Sequence, residues 1–146
     1  MASSLLEAVD INAPTAVTWA LWEDVERWPT FLSHVKHVQR IDAKTFAWQL
    51  ALPGADKSFV AELTEIVPRE RIAWRTTEGV HHAGVVTFHR LSDTESRVTL
   101  RIEYDPQGFL EHLGALTNLD AALATYDLDE FRHMAERAAG TRGAQE

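Results

Sequence analysis

Tyrosine, histidine and arginine side chains are the groups of this chain that could donate or accept a proton in a pocket shielded from water. Such a group must lie within hydrogen-bond reach of the reacting atom, so its position on a strand or helix decides its use. Tyr104 and Tyr126 are the better-placed donors, although a single tyrosine more often orients a ligand. The sequence has no paired carboxylates, nucleophile elbow or glycine-rich phosphate loop.

Strand register decides the histidine and arginine candidates. His89 faces inward only in the register that turns Val86 and Phe88 outward, and the bulk of those two side chains favours the opposite register. Arg75 alternates with an aromatic neighbour and is expected to face out. The side on which Arg40 lies depends on a predicted bulge and stays open.

The seven histidines do not form a metal-binding pattern. His34 and His37 are three residues apart, which suits a metal only on a helix, and their segment is predicted to be a strand. His81 and His82 are adjacent, so in an extended chain they point in opposite directions. The absence of cysteine excludes disulfides, thiolate catalysis and cysteine-ligated metals. We therefore predict no metal and no cofactor.

Most of these candidates lie among segments in which apolar residues alternate with polar ones. Such alternation indicates half-buried antiparallel strands, because successive side chains leave opposite faces of the pleat. In the second segment, residues 35–42, the apolar residues are three positions apart, and a bulge near His37 would reconcile this spacing with a strand. Seven strands are predicted, over residues 5–11, 35–42, 45–52, 57–67, 71–77, 83–91 and 96–104. Their inward positions are rich in aromatic residues, namely Phe46, Trp48, Phe59, Trp74 and Tyr104.

Helical sequence lies on both sides of the six later strands. Two short helices are predicted over residues 16–23 and 25–28, the second capped by Asp24 and ended by Pro29. Residues 109–116 could form one or two helical turns. A long helix is then expected from Thr117 or Asp120 to about residue 139, with Gly140 as its stop.

The apolar residues of the long helix form two stripes. The first half places its stripe on Leu119, Ala122, Leu123 and Tyr126. The second half places Phe131, Met134 and Ala138 on a stripe rotated by roughly 100° from the first. The helix must therefore twist across a curved partner or bend midway.

Composition limits the class of protein. The 146 residues are most simply one domain over 1–146, with residues 141–146 as a flexible tail. The net charge of −8 argues against a nucleic-acid surface and against docking on anionic membranes. No segment is apolar enough for a membrane span, and the N-terminus lacks a signal-peptide pattern, so a cytoplasmic location is expected. Exposed edge strands permit a monomer or a homodimer.

These elements predict an α+β fold. Consecutive strands joined by short turns pair as an antiparallel meander, and a curved sheet of about seven strands leaves one apolar face. The long C-terminal helix is the element available to cover that face.

Three segments resemble the START-like superfamily, also called Bet v 1-like or SRPBCC, and within it the polyketide cyclase/dehydrase and coenzyme Q-binding branch. The first is VDINAPTAVTWALWEDVERWPTFL over residues 9–32. The second is VPRERIAWR over residues 67–75, and the third covers residues 84–108 and ends VTLRIEYDPQG. Each motif alone is weak, but together they span almost the whole chain in order.

The resemblance implies a helix-grip fold with an elongated cavity between the sheet and the C-terminal helix. It also implies a small hydrophobic partner, such as a polyketide, an isoprenoid quinone or a lipid, or else cyclisation or dehydration of a polyketide. The catalytic arginine and hydroxyl of aromatase/cyclases cannot be placed here, which favours binding over catalysis. The expected lining residues are Trp28, Phe31, Trp48, Phe59, Trp74, Phe88, Tyr104, Leu123 and Tyr126.

Each lining residue has a structural alternative. The aromatic residues of the strands could fill a solid core as readily as they could line a pocket. Trp28 and Phe31 could gate the mouth of the cavity, but they more simply fix the short helices to the sheet, because tryptophan is usually largely buried.

Overall fold

A computed structural model describes residues 3–32, 35–52, 55–79, 82–104 and 117–144. These residues form one seven-stranded antiparallel sheet, two short helices and a long C-terminal helix, which confirms the α+β helix-grip prediction. The strands are β1 Ser3–Ile11, β2 Val35–Arg40, β3 Thr45–Leu52, β4 Ala55–Val67, β5 Arg71–Gly79, β6 His82–Arg90 and β7 Ser96–Tyr104. The helices are α1 Thr15–Glu23, the 3₁₀ helix η1 Val25–Thr30 and α2 Thr117–Ala144.

The sheet is a meander with β1 added at one edge. Its order is β1-β7-β6-β5-β4-β3-β2, so every neighbour except the β1–β7 pair is consecutive in the chain. The β2–β3 register shifts between Val35 and His37, which confirms the predicted bulge. α1 packs on β6 and β7, η1 packs on β2, and α2 packs on β1. We call the sheet face that carries the buried side chains its inner face.

The alternation in β6 resolves the register that the sequence left open. Val86 and Phe88 are buried on the inner face, and His89 is exposed on the other side. Arg75 is exposed as expected. Arg40 lies on the inner-face side of the edge strand β2, opposite Phe46, and is exposed there. Its guanidinium carbon is 5.2 Å from the Phe46 ring centroid, and its Nε is 4.0 Å from an oxygen of Glu26.

Two helix boundaries differ from the predictions. Asp24 makes no capping hydrogen bond through its side chain, and η1 continues through Pro29 to Thr30. A 3₁₀ helix accommodates this proline because so short an element has few backbone hydrogen bonds to lose. Residues 109–116, predicted as helical turns, lie outside the described residues.

The C-terminal helix is longer than predicted. It passes through Gly140 to Ala144, so Gly140 is not its stop. Glycine favours a helix end but does not force one, since its cost inside a helix is only about 1 kcal/mol. The flexibility predicted for residues 141–146 stays a prediction.

The end of β1 is tied to both α1 and α2. The Asn12 backbone N–H donates to Oε2 of Glu136 on α2 at 3.0 Å. The Ser96 hydroxyl donates to the Ala13 carbonyl at 2.8 Å and lies 3.4 Å from the Thr18 hydroxyl. The two contacts of Ser96 are buried and fix the start of α1 against the first residue of β7.

The β4–β5 turn contains a strained residue. Arg69 has a φ of +63°, and the Glu70 N–H donates to the Val67 carbonyl across the turn at 2.9 Å. Proline at the second position of a turn and a positive φ at the third are typical of a type II turn. Such a turn favours glycine at the third position, which is Arg69 here.

Arg69→Gly is therefore expected to raise the free energy of unfolding. The left-handed conformation costs a non-glycine residue about 1 kcal/mol, and the greater freedom of glycine in the unfolded chain offsets part of that gain. We expect a net stabilisation of about 0.5 kcal/mol, measured by urea denaturation. Arg69→Ala keeps the strain and should not stabilise, so equal effects of the two substitutions would contradict this explanation.

A cross-strand ion pair joins the edge strand β1 to β7. Arg97 donates through Nε to Asp10 Oδ1 at 2.6 Å and through its Nη2 to Oδ2 at 3.2 Å. The Arg97 hydrogen bond lowers the pKa of Asp10 below its ordinary value of 3.8. A lowered pKa in the folded state adds stability above the unfolded pKa, and this is lost as the pH falls through the folded pKa.

Asp10→Asn should therefore destabilise the protein slightly at pH 7 and have less effect as the solution becomes acidic. Both groups are exposed, so the effect stays in the small range of surface ion pairs and weakens as salt is added. Urea denaturation of both proteins from pH 7 to pH 3 measures the difference. A difference that grows toward acid pH would contradict the assignment.

Within the part of the chain that the structure describes, no helix is both long and apolar enough to cross a membrane.

Candidate functional site

The inner face of the sheet is aromatic where it meets the helices. Phe46 and Trp48 on β3, Phe59 on β4, Trp74 on β5 and Phe88 on β6 are all buried there. Alternation places them on one face because inner positions recur at every second residue. The predicted inward orientation of these five side chains is confirmed.

Seven of the buried aromatic residues form one connected group, which we call the aromatic cluster. Six of its rings come from α1, η1, α2 and three strands. The seventh belongs to Phe31, the residue that follows η1. Its members are Trp22, Trp28, Phe31, Trp48, Phe59, Trp74 and Phe131.

Trp28 lies at the centre of the cluster. Its ring centroid is 5.0 Å from that of Trp22, 5.0 Å from Trp48 and 5.1 Å from Trp74, each in an edge-to-face arrangement. Its indole N–H donates to the Trp22 carbonyl at 2.8 Å. The side chain is 1% exposed. Such contacts are expected of a residue that fixes η1 to the sheet rather than of one that gates the mouth of a cavity.

Trp22 and Phe31 connect the short helices to α2. The Phe131 ring of α2 lies 5.3 Å from Trp22 and 5.0 Å from Phe31, and those two rings are 4.8 Å apart. Edge-to-face pairs add about 0.5–1.5 kcal/mol each beyond the area they bury. This part of the cluster therefore holds α2 against α1.

Trp48 and Phe59 form the part of the cluster that belongs to the sheet alone. They face each other across β3 and β4, and their rings stack at 5.5 Å with an angle of 17° between the planes. Trp48 also contacts Trp28 from η1. The pair lies in the middle of the β3–β4 ladder, which runs from Thr45 and Glu62 to Leu52 and Ala55.

Trp74 owes its position to a glycine on the neighbouring strand. Gly84 on β6 pairs with Trp74 on β5, and a methyl group added at Gly84 would lie 2.1 Å from the Trp74 Cζ2 atom. The indole ring thus occupies the space above Gly84. Glycine in a strand often marks such a close approach.

The structure brings together five of the nine predicted lining residues: Trp28, Phe31, Trp48, Phe59 and Trp74. Phe88 is buried at some distance along the sheet, where its ring meets Trp19 of α1 at 5.5 Å. For Tyr104 and Leu123 the structure describes the backbone and not the side chain. Tyr126 is 56% exposed, and contact of any of the nine with a ligand stays a prediction.

The prediction that Tyr126 faces inward, which came from the apolar stripe in the first half of the helix, needs correction because this side chain is exposed. Asp127 and Leu128 are the buried residues of α2 at this level. Trp22 and Phe131, both central to the cluster, were also absent from the predicted lining set. Trp22 follows the buried Thr18 by four residues, a helical spacing that could have identified it. A buried aspartate carries no such sequence pattern.

Three polar groups lie buried at or near this apolar site. The indole N–H groups of Trp22 and Trp48 have no hydrogen-bond acceptor among the described residues. The Asp127 carboxylate on α2 is 1% exposed. By contrast, His37, His89 and His133 are exposed, which removes His89 as a proton-transfer candidate on the inner face. Among the described residues, no three histidine or acidic side chains are grouped in a way that could hold a metal ion.

Comparisons with known proteins agree with this architecture. The family model for polyketide cyclase/dehydrase and lipid transport matches residues 11–131. An uncharacterized 17.2 kDa protein in the melC2-rnhH intergenic region of Streptomyces lincolnensis is 34% identical, over 97% of this chain and 98% of its own length.

Two solved structures share the fold at lower identity. The Zhui aromatase/cyclase from Streptomyces sp. R1128 is 17% identical with a TM-score of 0.79, over 94% of this chain and 95% of that one. A START superfamily protein from Mycobacterium smegmatis is 10% identical with a TM-score of 0.72, over 94% and 97% of the two chains. Since the family model covers most of the sequence, the chain belongs to the polyketide cyclase/dehydrase and lipid transport family.

Proposed function

We propose that this protein binds a small hydrophobic molecule, such as a polyketide, an isoprenoid quinone or a lipid, between the inner face of the sheet and α2. The observation that carries the proposal is the aromatic inner face, where Trp48 and Phe59 pair across β3 and β4 and the buried Trp74 of β5 pairs with Leu63 further along β4. Flat rings of this kind provide a large apolar contact surface at low entropic cost.

The binding energy would come mainly from apolar burial, at about 25 cal/mol for each Å² removed from water. The family supports a role of this kind, because it includes lipid transport proteins as well as cyclases. The proposed partner is then a small molecule, and the net charge of −8 argues against a nucleic acid.

Native mass spectrometry after gentle purification tests the proposal. We expect an additional mass of a few hundred daltons that is released on denaturation. We also expect naphthalene-based and quinone probes to raise the melting temperature. An unliganded mass together with no thermal shift from any probe would reject ligand binding.

Adsorption on the outside of the protein needs a separate control. Leu6 on β1 is 65% exposed and pairs with the exposed Arg101 of β7, on the side away from the inner face. The variant Leu6→Ser should keep the added mass and the thermal shift. Loss of both in this variant would place the molecule on the surface.

A second function is favoured by the buried carboxylate. Asp127 is buried on α2, which packs on β1 and α1 and contributes Phe131 to the aromatic cluster, and the family includes polyketide cyclases and dehydrases. In an aldol cyclisation, such a carboxylate would take a proton from the carbon between two carbonyl groups. The resulting carbanion would attack a further carbonyl and close the ring, and the protonated carboxyl would return its proton to the alkoxide formed there. Loss of water from that alcohol would then leave a carbon–carbon double bond.

Asp127→Asn separates the two functions. A cyclase should lose turnover of a linear poly-β-ketone thioester by at least about a hundredfold, the range of general acid–base catalysis, while probe affinity is retained. A binding protein should show no turnover in either form. Turnover that the substitution leaves unchanged would exclude Asp127 as the base.

A further inference from the structure

Two tryptophan side chains of the aromatic cluster bury a hydrogen-bond donor without an acceptor among the described residues. Trp22 is 0% exposed and Trp48 is 4% exposed, and the Nε1 atom of each is without a partner there. Buried polar groups in proteins are almost always hydrogen-bonded, because an unpaired donor loses its bond to water without replacement. The neighbouring Trp28 follows this rule, since its N–H donates to the Trp22 carbonyl.

The surroundings of the two donors differ. Trp22 is enclosed by the rings of Trp28, Phe31 and Phe131, at 5.0, 4.8 and 5.3 Å. A donor surrounded in this way can be placed against the faces of neighbouring rings, which accept weak hydrogen bonds. Trp22 therefore belongs to the contact between α1, η1 and α2.

Trp22 has ring contacts with three neighbours, whereas Trp48 has them with two. Its ring stacks on Phe59 from the same sheet and meets Trp28 edge to face, and both of these contacts are apolar. It lies on the inner face of β3, where the proposed ligand would contact the sheet. Its N–H is thus the donor that a bound molecule is best placed to satisfy.

We propose that the indole N–H of Trp48 donates a hydrogen bond to an oxygen of the bound molecule. This inference rests on the proposed function and narrows it to one ligand class. The ligand is an apolar compound with a carbonyl oxygen, such as an aromatic ketone or a quinone, rather than a plain hydrocarbon chain. A carbonyl suits the site because it accepts a bond without bringing a donor that would itself need a partner.

Two probes of nearly the same shape test the bond. In 2-acetylnaphthalene the side group ends in a carbonyl oxygen, and in 2-isopropenylnaphthalene a CH₂ group replaces that oxygen. The five indole N–H groups give separate resonances in a ¹H–¹⁵N spectrum, and Trp48→Phe and Trp22→Phe identify two of them. We expect the Trp48 resonance to move further downfield with the ketone than with the alkene. The Trp22 resonance should respond equally to both probes.

Affinities provide the second readout. The ratio of the Kd of the alkene to that of the ketone should fall by roughly threefold to tenfold in Trp48→Phe, as expected for one neutral hydrogen bond. Using the ratio cancels the loss of apolar contact that both probes share. Trp22→Phe removes the other unpaired N–H and should leave the ratio unchanged.

The outcomes separate this inference from the proposed function. If both probes bind and shift the Trp48 resonance equally, the protein binds hydrophobic molecules but Trp48 is not the donor. A change of the ratio in Trp22→Phe instead would assign the bond to Trp22 and overturn the proposal. If neither probe binds at millimolar concentration and native mass spectrometry finds no ligand, the proposed function fails as well.

Discussion

Replacing Gly84 by alanine is expected to lower the free energy of unfolding by about 3 kcal/mol, the upper part of the range for overpacked cores. The added methyl group would lie 2.1 Å from Trp74 Cζ2 and 2.5 Å from its Cε2, far inside contact distance. The indole must move, and it cannot move freely because the Trp28 ring lies 5.1 Å away. Thermal and urea denaturation measure the loss.

Gly140→Ala is the matched control for this prediction. Gly140 is an exposed position in α2, and nothing lies within 4 Å of a methyl group placed there. The same substitution should therefore stabilise the protein, by up to about 1 kcal/mol, because alanine favours the helix. Opposite signs at the two glycines would show that contact with Trp74, and not glycine replacement itself, causes the loss.

A second substitution tests the contact directly. Trp74→Leu removes the ring that the new methyl group would meet. In the double variant, Gly84→Ala should then cost less than it does alone, by at least about 1 kcal/mol of coupling energy. If the two losses simply add, the clash with Trp74 is not the cause.

The strands were predictable from the sequence because each has one buried face. In β7, Val98 and Leu100 are buried and Arg97 is exposed, so the period of two is visible in residue types alone. The bulge near His37 was predictable for the same reason, since the apolar spacing changes from two to three there. The size of the Val86 and Phe88 side chains also predicted the register of β6 correctly, since both are buried on the inner face.

The contacts of the site were less predictable, because they join residues far apart in the chain. Alternation identified Trp74 as an inner residue but could not reveal that its ring lies above Gly84. Periodicity placed Tyr126 on an apolar stripe of α2, whereas tertiary packing buries Asp127 instead. The pattern of apolar residues does not reveal that a carboxylate is buried. It also does not reveal which of the five indole N–H groups lack an acceptor.

Trp28→Ala is expected to lower the free energy of unfolding by about 4 kcal/mol, within the range for large aromatic residues in a core. The substitution removes ring contacts with Trp22, Trp48 and Trp74 and leaves the Trp22 carbonyl without its indole donor. For a domain of this size, the melting temperature should fall by roughly 10 °C or more. Circular dichroism during heating measures the change.

Two variants decide whether Trp28 fixes η1 or gates a cavity. Trp28→Phe keeps a ring but loses the hydrogen bond, so it should cost about 2 kcal/mol. Trp19→Ala removes a tryptophan whose ring contact is with Phe88, outside the cluster, and should cost at least about 1 kcal/mol less than Trp28→Ala. If Trp28→Phe leaves stability unchanged and instead speeds probe entry, Trp28 is a gate. Since its N–H and three ring contacts are all satisfied within the protein, we expect loss of stability with an unchanged rate of entry.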